Sequence, residues 1–279
     1  MIDLHMHSTA SDGTDTPVEI LTKVKEAGIT IFSLTDHDTA EGVKEIMPLI
    51  PDDVTFIPGI EFTCLTEAGK CHILGYGFDM ENPSFKALIE EGNNRRKTKL
   101  DKRIKFLKEE FGIEFTDEEM RELLSVKSAG KPHIANLLIR RGLAPDKNSA
   151  VKKYIDPCKT GTDRLDGTET VKTILEAGGV PVWAHPLGGT GEDPVLPDAF
   201  KEQLKVLKKA GLMGLECYYS KYGAEEIGFI QAYASAMNLL LSGGSDYHGK
   251  NKTVKLLELN KAGFPVGRER LTVLDKLLQ

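Results

Sequence analysis

Six of the seven histidines of this chain stand where they could share metal ions. His5, His7, His37, His72, His185 and His248 each lie at the end or the start of a short apolar run, and His133 alone lies elsewhere. Carboxylates accompany them: Asp12 after the first run, Asp36 beside His37, Glu61 after the third run, and Asp246 two residues before His248. Asp3-Leu4-His5-Met6-His7 sets two imidazoles two residues apart on an extended chain, so both side chains point the same way. Taken singly, each motif has an ordinary explanation. A His-x-His arises by chance, and the aspartates of Thr35-Asp36-His37-Asp38 are common where a strand exits into a turn. His185, after Val180-Pro181-Val182-Trp183-Ala184, reads equally as a core histidine, and Ser245-Asp246-Tyr247-His248 as a turn after Gly243-Gly244. Jointly they describe several separate strand exits that all end in His, Asp or Glu, which predicts a polynuclear metal site. Mixed imidazole and carboxylate donors suit Zn²⁺, Mn²⁺ or Fe²⁺ better than ions that favour thiolates. Closely spaced cations of this kind activate water, bind phosphoryl oxygens and stabilise a leaving oxygen.

The elements that must position these residues alternate. Apolar runs over Ile2–His5, Ile29–Leu34, Val54–Ile60, His72–Tyr76, Val180–Ala184, Met213–Cys217 and Asn238–Ser242 read as seven strands of a largely parallel sheet. Helical patterns separate them. Thr16-Pro17-Val18-Glu19 is a capping box with proline at the first helical position, followed by Ile20, Leu21, Val24 and Ala27 at helical spacing. Val171, Ile174 and Leu175, and again Phe200, Leu204, Leu207 and Ala210, repeat the pattern. The rhythm predicts an α/β fold close to a closed (β/α)7 barrel, in which the loops after the strands meet at one mouth. Residues 93–166 break it: Leu100, Ile104, Leu107 and Phe111 form an apolar stripe, Thr116-Asp117-Glu118-Glu119 is a second capping box, and Lys131-Pro132-His133 opens another helix. The expected organisation is therefore a metal-binding barrel from residues 1–92 and 167–279, with a mostly helical insertion at 93–166.

Charge narrows the partners. With 36 Lys plus Arg against 42 Asp plus Glu, the formal net charge is −6, so binding along duplex DNA, which needs a basic surface, is not expected. A small anion remains compatible, since bound cations reverse the local field. No run approaches the roughly 18 apolar residues of a membrane span, and the N-terminus has no secretory pattern. Cys64, Cys71, Cys158 and Cys217 are scattered without a Cys-x-x-Cys pair. They are read as free thiols of a cytoplasmic protein, although Cys64 and Cys71 stand where a hairpin would oppose them.

His5-x-His7-Ser8, Thr35-Asp36-His37, Gly59-Ile60-Glu61, Ala184-His185-Pro186 and Ser245-Asp246-Tyr247-His248 together resemble the polymerase and histidinol phosphatase (PHP) family of phosphoesterases, over nearly the whole chain. The likeness is greatest to its stand-alone members that act on nucleoside 3′,5′-bisphosphates or trim RNA from the 5′ end. The resemblance implies a distorted (β/α)7 barrel and two or three divalent cations. It would place the first on His5, His7, Glu61 and Asp246, the second on Glu61, His72 and His185, and the third on Asp12, His37 and His248. The reaction it implies is attack on phosphorus by a hydroxide generated between two of the cations. Asp36, His37, His185 and Asp246 would be its catalytic group, with Asp36 orienting the His37 ring.

Substrate contacts are read separately. Lys131 and His133 open a helix whose N–H groups and dipole favour anions, at a place where relatives resemble Gly-Arg-Pro-His and this chain has Gly130-Lys131-Pro132-His133. Ser8 joins the first motif. Tyr218, like Tyr219, Tyr222 and Tyr247, follows a strand and offers a ring for a base. Tyr154 to Gly161 departs from the glycine- and aromatic-rich loop of relatives. Residues 91–110 hold eight Lys or Arg against four Asp or Glu, which reads as a solvated helix face or as a guide for an oligonucleotide. The expected partner is a small phosphorylated substrate, a nucleotide or an RNA 5′ end. The rivals are histidinol phosphate as substrate, an amidohydrolase reaction (which would use a metal-bridging lysine after a strand) and a non-catalytic metal-binding module.

Overall fold

The computed structural model describes residues 1–126, 128–160, 163–190 and 192–279. Gly161, the last residue of the divergent loop, lies outside them. In chain order the elements are β1 (Ile2–Asp3), α1 (Pro17–Glu26), β2 (Ile31–Phe32), α2 (Glu41–Ile46), β3 (Thr55–Phe56), β4 (Gly59–Thr66), β5 (Gly69–Tyr76) and α3 (Pro83–Phe111). There follow α4 (Asp117–Ser125), α5 (Lys131–Arg140), α6 (Lys147–Ala150), β6 (Leu165–Asp166), α7 (Gly167–Glu176), β7 (Val180–Trp183), α8 (Pro197–Ala210), β8 (Gly214–Tyr219), α9 (Ala224–Ala236), β9 (Leu240–Gly244) and α10 (Val273–Leu277). Both capping boxes form: Thr16 Oγ1 accepts the Glu19 N–H at 3.2 Å while Glu19 accepts from Thr16 N at 2.7 Å, and Thr116 and Glu119 repeat the exchange at α4.

The fold is mixed α/β. One sheet has the order β1-β2-β3 and the other β6-β4-β5-β7-β8-β9. All pairings are parallel except those of β5, which runs against both β4 and β7. Two isolated bridges, Met6 with Tyr247 and His37 with Glu61, tie the sheets at both sides. The run expected as one strand over Val54–Ile60 is broken at Ile57-Pro58 into β3 and β4, because Pro58 has no N–H for the ladder. Glu61 consequently lies inside β4 rather than beyond a strand. α3 starts at Pro83, where Asn82 accepts the Phe85 N–H at 3.1 Å, so one helix crosses the boundary expected at residue 93.

Apolar side chains form three clusters. The largest lies around β4, β5, β7, β8 and β9 and includes Phe62, Ile73, Tyr76, Phe85, Val182, Phe200 and Leu215. A second, with Met6, Ile20, Val24, Phe32, Leu34 and Val43, joins α1 and α2 to the small sheet. The third is confined to residues 100–155, with Leu100, Leu107, Leu123, Ile134, Leu138 and Ile155. Cys64 and Cys71 oppose each other across the β4–β5 hairpin as free thiols. Among the described residues no helix is long and apolar enough to cross a membrane.

Candidate metal centre

Strand ends bring the histidines together, and special backbone holds them there. His5 lies so close to β9 that a Cβ on Gly244 would stand 2.3 Å from the His5 Cβ, a contact only glycine permits. The buried Asp3 carboxylate joins the two strand exits by accepting from Ser245 N at 2.9 Å, His5 N at 3.4 Å and Leu257 N at 2.9 Å. Asp38, His185 and Asp246 adopt left-handed φ angles of 53°, 29° and 58°. For residues with a Cβ these are strained conformations, of the kind that concentrate at functional sites.

Glu61 is the hub. Its carboxylate stands 3.4 Å from His5 Nε2, 3.2 Å from His7 Nε2, 3.1 Å from His37 Nδ1, 3.1 Å from His72 Nδ1 and 3.0 Å from His185 Nε2. Burial opposes its charge, but the imidazoles of His37, His5 and His72 outweigh burial and hold the carboxyl well below its ordinary range. Three sets of side chains converge closely enough to take a cation: His7, Asp12, His37 and His248; His5, His7 and Glu61; Glu61, His72 and His185. Asp246 borders them, its Oδ1 lying 3.6 Å from His5 Nε2, 3.5 Å from His7 Nε2 and 3.3 Å from His248 Nδ1.

The residues fit such a group. His37 Nδ1, His72 Nδ1 and Asp246 Oδ1 are buried without a hydrogen-bond partner although each faces the cluster. Orphaned buried polar atoms are costly, and divalent cations would satisfy all three.

Several supporting residues carry no sequence motif. Glu216, fully buried in β8, accepts from His5 Nδ1 at 2.8 Å and from His185 N at 2.7 Å, so one carboxylate orients two of the histidine positions. Lys252 Nζ and Tyr219 OH reach Asp246 Oδ2 at 2.5 and 2.8 Å, leaving Oδ1 toward the cluster. Glu192 stands 3.2 Å from His185 Nδ1, and against the opposing effect of burial it helps push that imidazole up to about 10. A register shift between Glu216 and Tyr218 explains the pair in β8. Simple alternation would set Glu216 and Tyr218 on one face; the bulge sends Tyr219 there instead.

Some expected contacts lie elsewhere. Tyr218 is buried against α9, where its hydroxyl accepts from Gln231 Nε2 at 2.9 Å beside a groove of about 570 Å³, away from the histidines. Asp36 does not reach the His37 ring: it accepts from Ser8 N at 2.8 Å, Ser8 Oγ at 2.7 Å and Ser11 Oγ at 2.6 Å, fixing the loop that carries His7 and Asp12. Ser8 is thereby fully buried and committed to Asp36. Lys131 pairs at the surface with Asp156 at 2.5 Å. His133 does lie near the cluster. Its Nδ1 accepts the Gly130 N–H at 3.0 Å, a Cβ at Gly130 would be 4.0 Å from Asp12 Oδ2, and burial lowers the ring below its ordinary value.

Comparison with known proteins agrees with this geometry. The family described as the PHP domain matches residues 3–159. A phosphoribosyl 1,2-cyclic phosphate 1,2-diphosphodiesterase of Eggerthella lenta is 30% identical over 268 residues, covering 89% of this chain and 94% of that protein. A 5′-3′ exoribonuclease of Haemophilus influenzae is 27% identical over 283 residues (95% and 97%), and a 3′,5′-nucleoside bisphosphate phosphatase of Chromobacterium violaceum 28% over 259 (88% and 87%). Among solved structures, a Bifidobacterium adolescentis protein assigned as a metal-dependent phosphoesterase superposes with a TM-score of 0.80 at 26% identity, over 99% of this chain and 94% of that one. A Chromobacterium violaceum protein described as an amidohydrolase, with sulfate bound and no metal, does so with 0.81 at 27%, over 96% and 95%. The chain belongs to the PHP domain family.

Proposed function

We propose that this metal-dependent phosphoesterase hydrolyses a phosphate ester of a small nucleotide, such as a nucleoside 3′,5′-bisphosphate, or trims RNA from its 5′ end. The observation that carries the reading is Glu61, one buried carboxylate with five imidazoles around it. Two or three divalent cations, Mn²⁺, Fe²⁺ or Zn²⁺, would be held by His5, His7, Glu61 and Asp246, by Glu61, His72 and His185, and by Asp12, His37 and His248. Such cations supply an acidified water and a positive field for phosphoryl oxygens. The protein's part is orientation. Glu216 fixes the His5 ring and the His185 backbone, and Lys252 and Tyr219 hold Asp246 with one oxygen toward the cluster. His133, with Nδ1 fixed by Gly130, would meet a substrate oxygen through its other ring nitrogen.

The same reading takes the two sheets as parts of one distorted (β/α)7 barrel, ordered β1-β2-β4-β5-β7-β8-β9. It is supported by the bridges at Met6–Tyr247 and His37–Glu61. Residues 93–166 would be its helical insertion, a division supported by the separate apolar cluster of residues 100–155. The relatives with nucleotide and RNA substrates favour that class over histidinol phosphate.

The test uses metal-stripped protein reloaded with Mn²⁺ against adenosine 3′,5′-bisphosphate, AMP, histidinol phosphate and a 5′-phosphorylated RNA oligomer. Metal-dependent turnover of the bisphosphate, AMP or the oligomer is expected. Turnover of histidinol phosphate alone, or of none with metals bound, would overturn the substrate class.

A further inference from the structure

Two contacts run from residues 100–155, which have their own apolar cluster, to the metal centre, and both end on the same set of ligands. Ser128 precedes Ala129 of that cluster and donates its hydroxyl to the His37 carbonyl at 2.5 Å. Arg96 of α3 steadies this contact. It donates to the Ser128 carbonyl at 3.5 Å and to Asp38 Oδ2 at 2.5 Å, and Asp38 follows His37. A Cβ on Gly92 would stand 3.1 Å from the Asp38 Cβ, so glycine lets α3 come this close. The second contact starts at Lys147, the first residue of α6, between Ala144 and Ala150 of the same cluster. Its ammonium donates to Asn251 Oδ1 and, at 3.3 Å, to the Lys250 carbonyl. Asn251 passes the contact on, donating from Nδ2 to the Asp12 carbonyl at 2.6 Å.

The ligands reached in this way are His37, Asp12 and, through the turn that follows it, His248. Gly249 has a φ of 61°, and a Cβ there would stand 2.1 Å from Thr14 Oγ1, which accepts from Lys250 N at 2.8 Å. The turns after Asp12 and after His248 are therefore packed as one unit, and Lys147 closes it from outside. Inside the unit, Asp12 faces His248 Nε2 at 3.2 Å, His7 Nδ1 at 3.8 Å and His37 Nε2 at 3.9 Å. The other ligands are held from elsewhere: Glu216 in β8 serves His5 and His185, and Tyr219 and Lys252 hold Asp246. Lys147 itself is half-buried and makes no ion pair among the described residues. Asp146 beside it is committed to Ser149, accepting from its N and Oγ at 2.9 Å. The ammonium thus spends its charge on two neutral oxygens of the turn after His248, as charge-assisted bonds stronger than neutral ones.

We infer that Ser128, Lys147 and Asn251 are positioning residues that make the cation site of His7, Asp12, His37 and His248 depend on the docking of residues 100–155, whereas the other two sites form without it. The inference rests on the reading of these three sets as cation sites. Holding the backbone at Asp12 and His37 fixes where their donor atoms stand, and groups that orient ligands in this way change metal affinity by about 10- to 100-fold. Linkage then requires the reverse: a cation at this site tightens the docking by the same factor.

Two measurements decide it. The metal-stripped full chain is titrated with Mn²⁺, the free ion being read by electron paramagnetic resonance. The unsubstituted protein should bind three ions, one for each set. Ser128→Ala/Lys147→Met should weaken one of them by at least about tenfold and leave the other two unchanged. Lys147→Arg, which keeps the charge, should retain most of the affinity. Asp12→Asn identifies the ion concerned: in that background the double substitution should have no further effect. Circular dichroism verifies folding, and Asn251→Ala, which removes the Lys147 contact from its other side, replaces the double variant if that does not fold. Three ions bound with unaltered affinities in the variant, or all three weakened alike, overturn the coupling alone. Fewer than three ions in the unsubstituted protein overturn the reading of this set as a cation site, and the inference with it. Separately, amide hydrogen exchange of residues 131–155 should slow as the third ion binds and not with the first two. Exchange indifferent to the third ion also overturns the coupling.

Discussion

The metal centre and the inner face of α3 are both crowded with buried charge, and they resolve it in opposite ways. Around Glu61, imidazoles and carboxylates compensate one another within about 3.0–3.6 Å, and Glu216, Lys252 and Tyr219 compensate what remains. Along α3, Arg96 has its carboxylate in Asp38, whereas the buried Lys99 and Arg103 make no ion pair among the described residues. The first region is self-consistent without a substrate and waits for cations that replace its protons. The second leaves part of its positive charge without a carboxylate, and burial with the neighbouring arginines presses Lys99 down to about 7. The contrast separates charge that is compensated inside the fold from charge that is not.

The largest effect should come from the first region. Asp246→Ala or His185→Ala should lower kcat/KM on whichever phosphoester the protein hydrolyses by about a thousandfold or more, the scale of several kcal/mol of charge stabilisation. Steady-state kinetics with metal content measured alongside checks this, and a near-normal variant would remove these residues from the centre. Next comes the one satisfied cation of the second region. Arg96→Ala leaves Asp38 buried and unpaired, which should cost about 3–5 kcal/mol in urea unfolding; a loss below 1 kcal/mol would mean that solvent reaches Asp38. Glu216→Gln should weaken metal binding about 10- to 100-fold, because the ring of His5 loses its orienting charge. A titration with Mn²⁺ measures it, and unchanged affinity would reduce Glu216 to packing.

The smallest effect has the most diagnostic sign. Lys99→Met should raise stability by about 1 kcal/mol at pH 6 in sulfate-free buffer, since an unpaired buried charge is replaced by an apolar side chain. Lys99 titrates near 7 in the fold, facing Arg96 and Arg103 on its own helix, Asp38 after β2 and Arg164 before β6, against 10.5 when unfolded. Between those values the unfolded chain binds more protons, so the stability of the unsubstituted protein rises with pH there. The advantage of the methionine variant should therefore be full below pH 7 and close as pH climbs toward 10. An advantage that does not vary with pH would show that packing, not charge, is responsible.

These two regions were unequally legible in the sequence. The histidines and carboxylates announced themselves because strand exits recur with the same residue types, and Glu61 was identified although the strand boundary drawn beside it was displaced by Pro58. Glu216 and Lys252 were not seen: a lone carboxylate in Gly-Leu-Glu-Cys-Tyr-Tyr carries no spacing signal, and Lys252 acts through a loop. Tyr218 was read as a loop residue beyond a strand that ended at Cys217, whereas β8 runs on to Tyr219 and shifts its register between Glu216 and Tyr218. Asp36 was given to His37 by adjacency, but residues adjacent on extended chain point apart. The basic stretch at 91–110 was visible as composition. That three of its eight cations turn inward follows only from Gly92 and the approach of α3 to Asp38.

The pairing of His5 with Glu216, 211 residues downstream, also bears on how the protein is made. At about 5–20 residues per second, the ribosome delivers β8 roughly 10–40 s after the first histidines. His5 and His7 must wait through that interval before their orienting partners exist. A newborn chain is thus a poor competitor for cellular metal until nearly all of it has been synthesised, and loading the centre becomes a late event in its maturation.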